Sequence, residues 1–371
     1  MQIRAAVMEK NDGTFTKRDI HLDDVELEEP RAGEVRVRIT SCGVCGTDRG
    51  CIHGLEPYPT PGVLGHEGAG IVEEIGPDVT LVKPGDRVMI GFPYCGVCRS
   101  CRAGEPRYCE RGLELSFSGY RLDGSGGMSR KGEKLAGRFF QQSSWATHTI
   151  ALERQLAKVP EGLELDFAGP YGCSISTGAG TILNVLRPGP GSSIAIFGVG
   201  NVGLAAVMAA RLTAATRIIA IDRVPERLAL ARSLGATDTL EHGPDTVAQL
   251  KEMTREHLDF SVEATNGSNL VSEAITALGI LGTCAMVGGA KMTASVKMNH
   301  PDVLLHGKKV VGVMGGGGQT PHFLVSLMEL QRDGRFPLER LIKFYNFADV
   351  NQAIDDSDAG RTIKPVLRMT A

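Results

Sequence analysis

Residues 95–109 read "CGVCRSCRAGEPRYC", placing Cys95, Cys98, Cys101 and Cys109 in the pattern C-x2-C-x2-C-x7-C. Two-residue spacings let thiolates converge from tight turns, and a fourth closes a tetrahedron. Four thiolates with no open position describe a structural zinc site. An iron–sulfur cluster also uses four cysteines, and a disulfide pair is a further alternative, though a total of nine cysteines fits a disulfide framework poorly. A second set of metal-ligand types is scattered. A catalytic zinc needs three protein ligands and an open position. "CGVCGTD" (42–48) offers Cys45 or Cys42, "GHEGAG" (65–70) offers His66 with Glu67 beside it, and "GCSISTG" (172–178) offers Cys173. Each is flanked by glycine and small polar residues rather than by a periodic apolar face. Asp48 could accept a hydrogen bond from His66, the usual way of fixing a ligand imidazole.

A third motif is "GVGNVG" (198–203), which follows the strand-like "SSIAIF" and opens the helical "VGLAAVMAARL". Gly198, Gly200 and Gly203, with Asn201 and Val202 between them, form a G-x-G-x-x-G turn. Asp222 lies nineteen residues beyond Gly203, at the end of "RIIAID". Context, spacing and acid together fit dinucleotide binding, with the pyrophosphate at the helix N-terminus. Asp222 would accept the ribose hydroxyls of NAD and repel the 2′-phosphate of NADP, while Arg223 directly after it weakens that exclusion.

Two kinds of element must position these residues. Up to about residue 150 the chain holds short β-like runs broken by Gly and Pro, such as "EVRVRIT" (34–40), "GAGIVEEIG" (68–76) and "DRVMIG" (86–91), which predict an irregular β-rich barrel or sandwich. Residues 113–142, rich in Gly and Ser, read as a long surface loop. From near 175 onward apolar β-branched runs alternate with helical stretches, which predicts a doubly wound α/β domain with a parallel sheet. A chain of 371 residues favours two domains. The boundaries expected are 1–172 for a catalytic domain, 173–312 for the dinucleotide-binding domain and 313–371 for a return to the first. A net charge of −3 makes no case for nucleic acid or an anionic membrane. Neither a signal-peptide pattern nor an apolar stretch of membrane-spanning length is present, so cytoplasm is the expected compartment.

Taken in order, "CGVCGTD", "GHEGAG", the four-cysteine lobe, "GCSISTGAG", "GVGNVG" with "IDR", and "AGRTIKPVLRM" resemble the zinc-dependent medium-chain alcohol dehydrogenases over nearly the whole chain. "GRFFQQSSWATHTI" (137–150) is similar to the aryl-alcohol branch. The resemblance implies a GroES-like catalytic domain with a zinc lobe, a Rossmann domain, two zinc ions per chain, NAD, an alcohol/aldehyde substrate, a site between the domains, and a homodimer or tetramer. It further implies that Cys45, His66 and Cys173 hold the catalytic zinc, with Cys42 a bystander, and that Glu67 lies behind the metal. Thr47 would take the substrate proton and Thr177 would touch the nicotinamide side. Arg227 would sit near the adenosine ribose, Lys364 would reach the pyrophosphate, and Phe92, Phe139 and Phe140 would line the substrate pocket. Two positions depart from the family. Gly46 follows the first ligand where a bulky basic or imidazole side chain is common, and Gly50 stands where many members end a proton relay in histidine, leaving His53 close by. A thiol-adduct formaldehyde dehydrogenase on the same scaffold and a catalytically silent dinucleotide sensor are the alternatives.

Overall fold

The computed structural model describes residues 1–9, 20–265, 267–289, 293–318 and 321–369, so part of the N-terminal stretch, including Lys10, lies outside it. The chain divides into two units. One comprises Met1–Cys173, Gln319–Gly334 and Leu338–Ala371, and the other comprises Ser174–Gly318 and Arg335–Pro337.

The second unit is built on a six-stranded parallel sheet. In spatial order its strands are Asp238–Glu241, Arg217–Asp222, Ser193–Phe197, Phe260–Glu263, Thr283–Met286 and Lys309–Gly312. In chain order this is third, second, first, fourth, fifth, sixth, the Rossmann arrangement. The strands are continuous apolar runs because helices cover a parallel sheet on both faces. Ile194, Ala195, Ile196, Ile219 and Val262 are all completely buried.

The first unit carries two sheets. A five-stranded antiparallel sheet runs Gly62–Val63, Gln2–Met8, Ile20–Leu27, Met128–Arg130, Glu133–Leu135. In a seven-stranded mixed sheet the long strand Glu34–Gly43 pairs with Gly68–Ile75, with His148–Leu152 and with the C-terminal strand Lys364–Arg368. Strand Glu34–Gly43 runs directly toward Cys45, and Gly68–Ile75 begins one residue after Glu67. The sheet therefore delivers two ligand-bearing turns side by side.

The structure corrects the expectation of a long surface loop over 113–142. That run contains the helix Gly112–Phe117 and the hairpin of Met128–Arg130 with Glu133–Leu135. Its end, 135–142, is buried. The segment is held by ionic contacts that local sequence does not advertise. Arg138 Nη2 donates to Glu34 Oε1 at 3.0 Å and Nη1 to the Ile150 carbonyl at 2.7 Å. Arg121 grips the same carboxylate through Nε at 2.7 Å and Nη2 at 2.9 Å. Burial opposes the charge on Glu34, but the two guanidiniums outweigh it and hold the carboxyl below its usual range. Burial also pulls Arg138 down to about 10.

Removing one member of a buried charge set leaves the others uncompensated, so Glu34→Gln and Arg138→Met should each cost about 3–5 kcal/mol. The chain's single tryptophan, Trp145, is 0% exposed in this same unit. Its fluorescence during urea unfolding should report the loss as a lowered midpoint. An unchanged midpoint would show that the ionic set does not stabilise the segment.

Candidate metal centre and cofactor turn

Ligand types converge at two places. Cys45, His66, Glu67 and Cys173 are all buried, and their ligand atoms lie within 4.8 Å of one another. Cys45 precedes the helix Gly46–Ile52, His66 and Glu67 occupy the link between two strands, and Cys173 follows the 3-10 turn Gly169–Gly172. That turn approaches the sheet so closely that a Cβ on Gly169 would stand 2.2 Å from the Glu67 carbonyl, and one on Gly172 would stand 2.2 Å from that of Ile90. Only glycine permits an approach this close, and it brings Cys173 Sγ to 3.9 Å from Cys45 Sγ. Cys42, the other candidate, is 0% exposed and spends its place in the core, where burial pushes its thiol well up.

Asp48 organises the arrangement. Its Oδ2 accepts from the Cys45 N–H at 2.8 Å, and its Oδ1 from the Gly65 N–H at 3.1 Å and from His66 Nδ1 at 3.0 Å. This fixes the tautomer of His66 and leaves its Nε2 buried and, among the described residues, without a hydrogen-bond partner. A buried nitrogen with no partner, facing two thiols, is what a metal ligand requires. Cys45 is drawn well below the usual thiol range by the hydrogen bond from Cys173, against burial and with help from His66. The donating Cys173 is pushed up correspondingly. A tetrahedral ion with Zn–S bonds near 2.3 Å sets its sulfurs roughly 3.8 Å apart, which the observed thiol spacing matches. The residues fit zinc.

Two of the expected site residues are fully buried. Lys364, expected at the pyrophosphate, is 0% exposed, and its ammonium is engaged by Glu67 Oε2 and by the Val44 carbonyl at 3.2 Å. Burial raises Glu67 to about 7, with Lys364 opposing that rise. Phe139, expected in the pocket wall, is a core residue at 0% exposure, edge-on to Tyr58 at 4.9 Å and to His66 at 5.4 Å. Phe140 instead lies flat on the His66 ring, with centroids 4.5 Å apart and 26° between planes, and Phe92 meets Phe140 edge-on at 5.3 Å. Phe140 has a left-handed φ of 50°. That backbone is maintained by Gln155 Nε2 donating to the Phe140 carbonyl at 2.9 Å and by Ser143 Oγ donating to the Val63 carbonyl at 2.6 Å. Gln142 clamps the ligand turn, giving to the His66 carbonyl at 3.0 Å and receiving from the Gly68 N–H at 3.1 Å. Sequence reading missed Gln142 and Gln155, whose only signal was amide side chains beside aromatic or β-like runs. Thr47 sits half-buried in the helix after Cys45. His53, at the other end of that helix, pairs with Asp358 at 3.1 Å.

In the lobe, Cys95, Cys98, Cys101 and Cys109 also place their sulfurs within 4.8 Å of one another, with Cys95 and Cys101 at 4.0 Å. All nine cysteines are free, which removes the disulfide alternative. The Cys98 N–H donates to Cys95 Sγ at 3.3 Å, and the Cys95 N–H to Cys109 Sγ at 3.3 Å. Backbone donors of this kind bring Cys98 down to about 6.

In the second unit, Gly198 has φ +83°, and a Cβ on Gly203 would stand 1.9 Å from the Gly198 carbonyl, whereas Gly200 has nothing within 4 Å. The glycine turn is therefore tight inside and open outside. Asn201 starts the helix Asn201–Arg211, and its Oδ1 accepts the Val202 N–H at 2.9 Å. Asp222 receives the Val199 N–H at 2.9 Å and the Val224 N–H at 3.1 Å. Arg227 stands 3.9 Å from it, with a buried Nε that has no hydrogen-bond partner among the described residues. Arg223 is exposed and Thr177 is half-buried in the helix Ser174–Gly180.

Replacing the carboxylate behind a ligand histidine typically costs 10–100-fold in metal affinity. Asp48→Asn should therefore lower zinc affinity by about that factor, read by competition with a chelator, while Trp145 fluorescence stays native. Undiminished affinity would deny Asp48 its orienting role.

Comparison with known proteins agrees with the geometry. The alcohol dehydrogenase GroES-like domain matches residues 31–161, and the zinc-binding dehydrogenase domain matches 201–329. A geraniol dehydrogenase from Castellaniella defragrans is 39% identical over 349 residues, 93% of each chain. The crystal structure of an alcohol dehydrogenase zinc-binding domain protein from Burkholderia ambifaria superposes with a TM-score of 0.96 at 40% identity, and that of benzyl alcohol dehydrogenase from Acinetobacter calcoaceticus with 0.95 at 38%, each covering 100% of both chains. With its two domain types, its buried ligand set and these relatives in agreement, the chain belongs to the zinc-dependent medium-chain alcohol dehydrogenase family and is an alcohol oxidoreductase.

Proposed function

We propose that the chain interconverts a primary aryl or allylic alcohol and its aldehyde with NAD(H), using one catalytic and one structural zinc per chain. The observation that carries the reading is the Phe140 ring lying on ligand His66 with Phe92 against it, an apolar aromatic surface at the metal centre. The relatives named for geraniol and benzyl alcohol act on allylic and benzylic alcohols, which supports the same class here.

Zinc, when bound by Cys45, His66 and Cys173, supplies Lewis acidity that lowers the pKa of an alcohol. Nicotinamide, when bound, is the hydride acceptor. The chain's own residues do the rest. Asp48 holds His66 in one tautomer. Lys364 fixes Glu67 behind the ligands. Phe140 covers a face of His66 and keeps water from it. Thr47, half-buried beside Cys45, takes the proton of the substrate hydroxyl and passes it outward. Asp222 suits the ribose hydroxyls and disfavours a 2′-phosphate, and this is the basis for NAD over NADP.

A homodimer fits an exposed apolar cluster in the second unit. Among the described strands Lys309–Gly312 ends the sheet with one neighbour; Leu304 and Leu305, shortly before it in sequence, are exposed, Leu305 at 77%, as is Leu281, whose N–H donates to the His306 carbonyl at 2.7 Å. A bare edge flanked by leucines is a surface that a second copy can cover. Cytoplasm remains the proposed compartment, in keeping with nine free cysteines. No described helix is long and apolar enough to cross a membrane.

Elemental analysis should give two zinc ions per chain, and iron in the lobe would refute the structural assignment. NAD should exceed NADP in kcat/KM, and Asp222→Gly should erode the preference. Phe140→Ala should cost benzyl alcohol about two- to tenfold more in kcat/KM than ethanol, the equivalent of roughly 0.5–1.5 kcal/mol of ring interaction. Equal losses for the two alcohols would remove the aromatic pocket.

A further inference from the structure

Among the described residues the buried acids are Glu34, Asp48, Glu67, Asp222, Glu263 and Asp356. All but one have a basic group within ion-pair reach. Arg121 and Arg138 serve Glu34, His66 serves Asp48, and Lys364 serves Glu67. Arg227 stands 3.9 Å from Asp222, and Lys343 and Arg361 hold Asp356. Glu263 is the exception. It is 2% exposed, and no described cation acts on it. Its carboxylate accepts only neutral donors, among them the Thr265 N–H at 2.8 Å and the Thr265 hydroxyl. These oppose the effect of burial without cancelling it, so the carboxyl stays above its usual range. A buried charge without a counter-charge is costly, and the chain itself supplies none here.

The place of this acid says where a counter-charge can come from. Glu263 ends the strand Phe260–Glu263, beside the end of Ser193–Phe197. These are the fourth and first strands of the parallel sheet, the point at which strand order reverses, and a dinucleotide lies across the crevice there. Asp222, at the end of the second strand, belongs to the half that takes the adenosine. Glu263 opens the other half, which takes the nicotinamide mononucleotide. The acid is also locked to the cofactor turn. A Cβ on Gly198 would stand 2.4 Å from the Thr265 methyl. One on Gly288 would stand 1.5 Å from the Thr265 carbonyl oxygen and 2.8 Å from Glu263 Oε2. The loops after the first, fourth and fifth strands therefore meet at this one carboxylate.

We propose that Glu263 discriminates between the oxidation states of the cofactor, its negative charge favouring the cationic nicotinamide ring of the oxidised form over the neutral ring of the reduced form. The hydride that leaves the alcohol carbon brings its electron pair to the ring and removes the ring's positive charge. The carboxylate that helps to seat the oxidised cofactor thereby helps to release the reduced one. Glu263 exchanges no proton or hydride in this role; it acts by charge alone. The inference rests on the nicotinamide-dependent reading above.

The test is calorimetric titration of the full-length, zinc-replete protein with NAD+, with NADH and with ADP-ribose, which lacks the ring. Glu263→Gln removes the charge and keeps an acceptor for both Thr265 donors. It should lower the affinity for NAD+ relative to NADH by about tenfold, the order expected for one unit charge acting across a low-dielectric crevice, while ADP-ribose binding changes little. Glu263→Ala is a second charge-free variant and should shift the ratio in the same direction. Glu263→Asp keeps the charge and should keep the wild-type ratio. An NAD+ to NADH affinity ratio unchanged in both charge-free variants would overturn the proposal. A parallel loss of all three ligands in both would also overturn it, since that marks a clamp that only holds the loops. Failure of the wild type to bind any of the three, or NADP+ and NADPH in their place, would instead overturn the dinucleotide reading, and the role of Glu263 with it.

Discussion

Much of this site hangs on one buried carboxylate. Asp48 accepts from the Cys45 N–H, the Gly65 N–H and His66 Nδ1. Through these three bonds a helix start, a glycine turn and a ligand ring are tied to a single group with no exposed surface. A carboxylate in that position is costly unless each lone pair is used. Satisfying it forces two segments from different strand ends into one geometry, so the position of the metal ligands follows from electrostatic accounting as much as from packing.

The same reasoning explains the second ionic contact behind the site. Glu67 and Lys364 are both completely buried, one beside the ligand histidine and the other on the C-terminal strand. Neither charge would be tolerated alone. Their pairing joins the C-terminal strand to the ligand turn, and it is why a lysine expected to face a cofactor phosphate is turned inward. The aromatic layer then closes the assembly from the other side, with Phe140 against His66 and Phe139 sealed in the core.

The parts that the sequence displays are those whose order is local or periodic. The strand Arg217–Asp222 coincides with the run "RIIAID", and the glycine turn with "GVGNVG", because parallel strands are apolar throughout and the turn depends on glycines at fixed offsets. The cysteine quartet is equally plain, since its spacing is its geometry. The segment 135–144 is another matter. Its glutamines and serines look like surface, yet Gln141, Gln142, Ser143 and Ser144 are buried. Some of their contacts are to one another and to Arg138 and Phe139, but those that bury the segment reach Leu115, His66, Gly68 and Val63, too far away in the chain for a window of neighbouring residues to reveal. The inward contact of Lys364 is hidden for the same reason: its partner Glu67 is remote in sequence, and burial is not written in a lysine's neighbours.

The ionic set of Glu34, Arg121 and Arg138 has a bearing on how such an enzyme can diversify. The aromatic residues that face the metal centre sit on a segment whose anchor, Arg138, is neutralised by a strand residue more than a hundred positions earlier. Phe139 and Phe140 are therefore not a portable cassette. Grafted into a relative lacking the matching acid and its second arginine, the segment would bring a buried, unmatched guanidinium with it. Point changes at the ring positions remain open, because they leave the anchor intact. Exchange of the whole segment has to carry Glu34 and Arg121 along, so recombination among relatives should respect a linkage that alignment of neighbouring residues would never suggest.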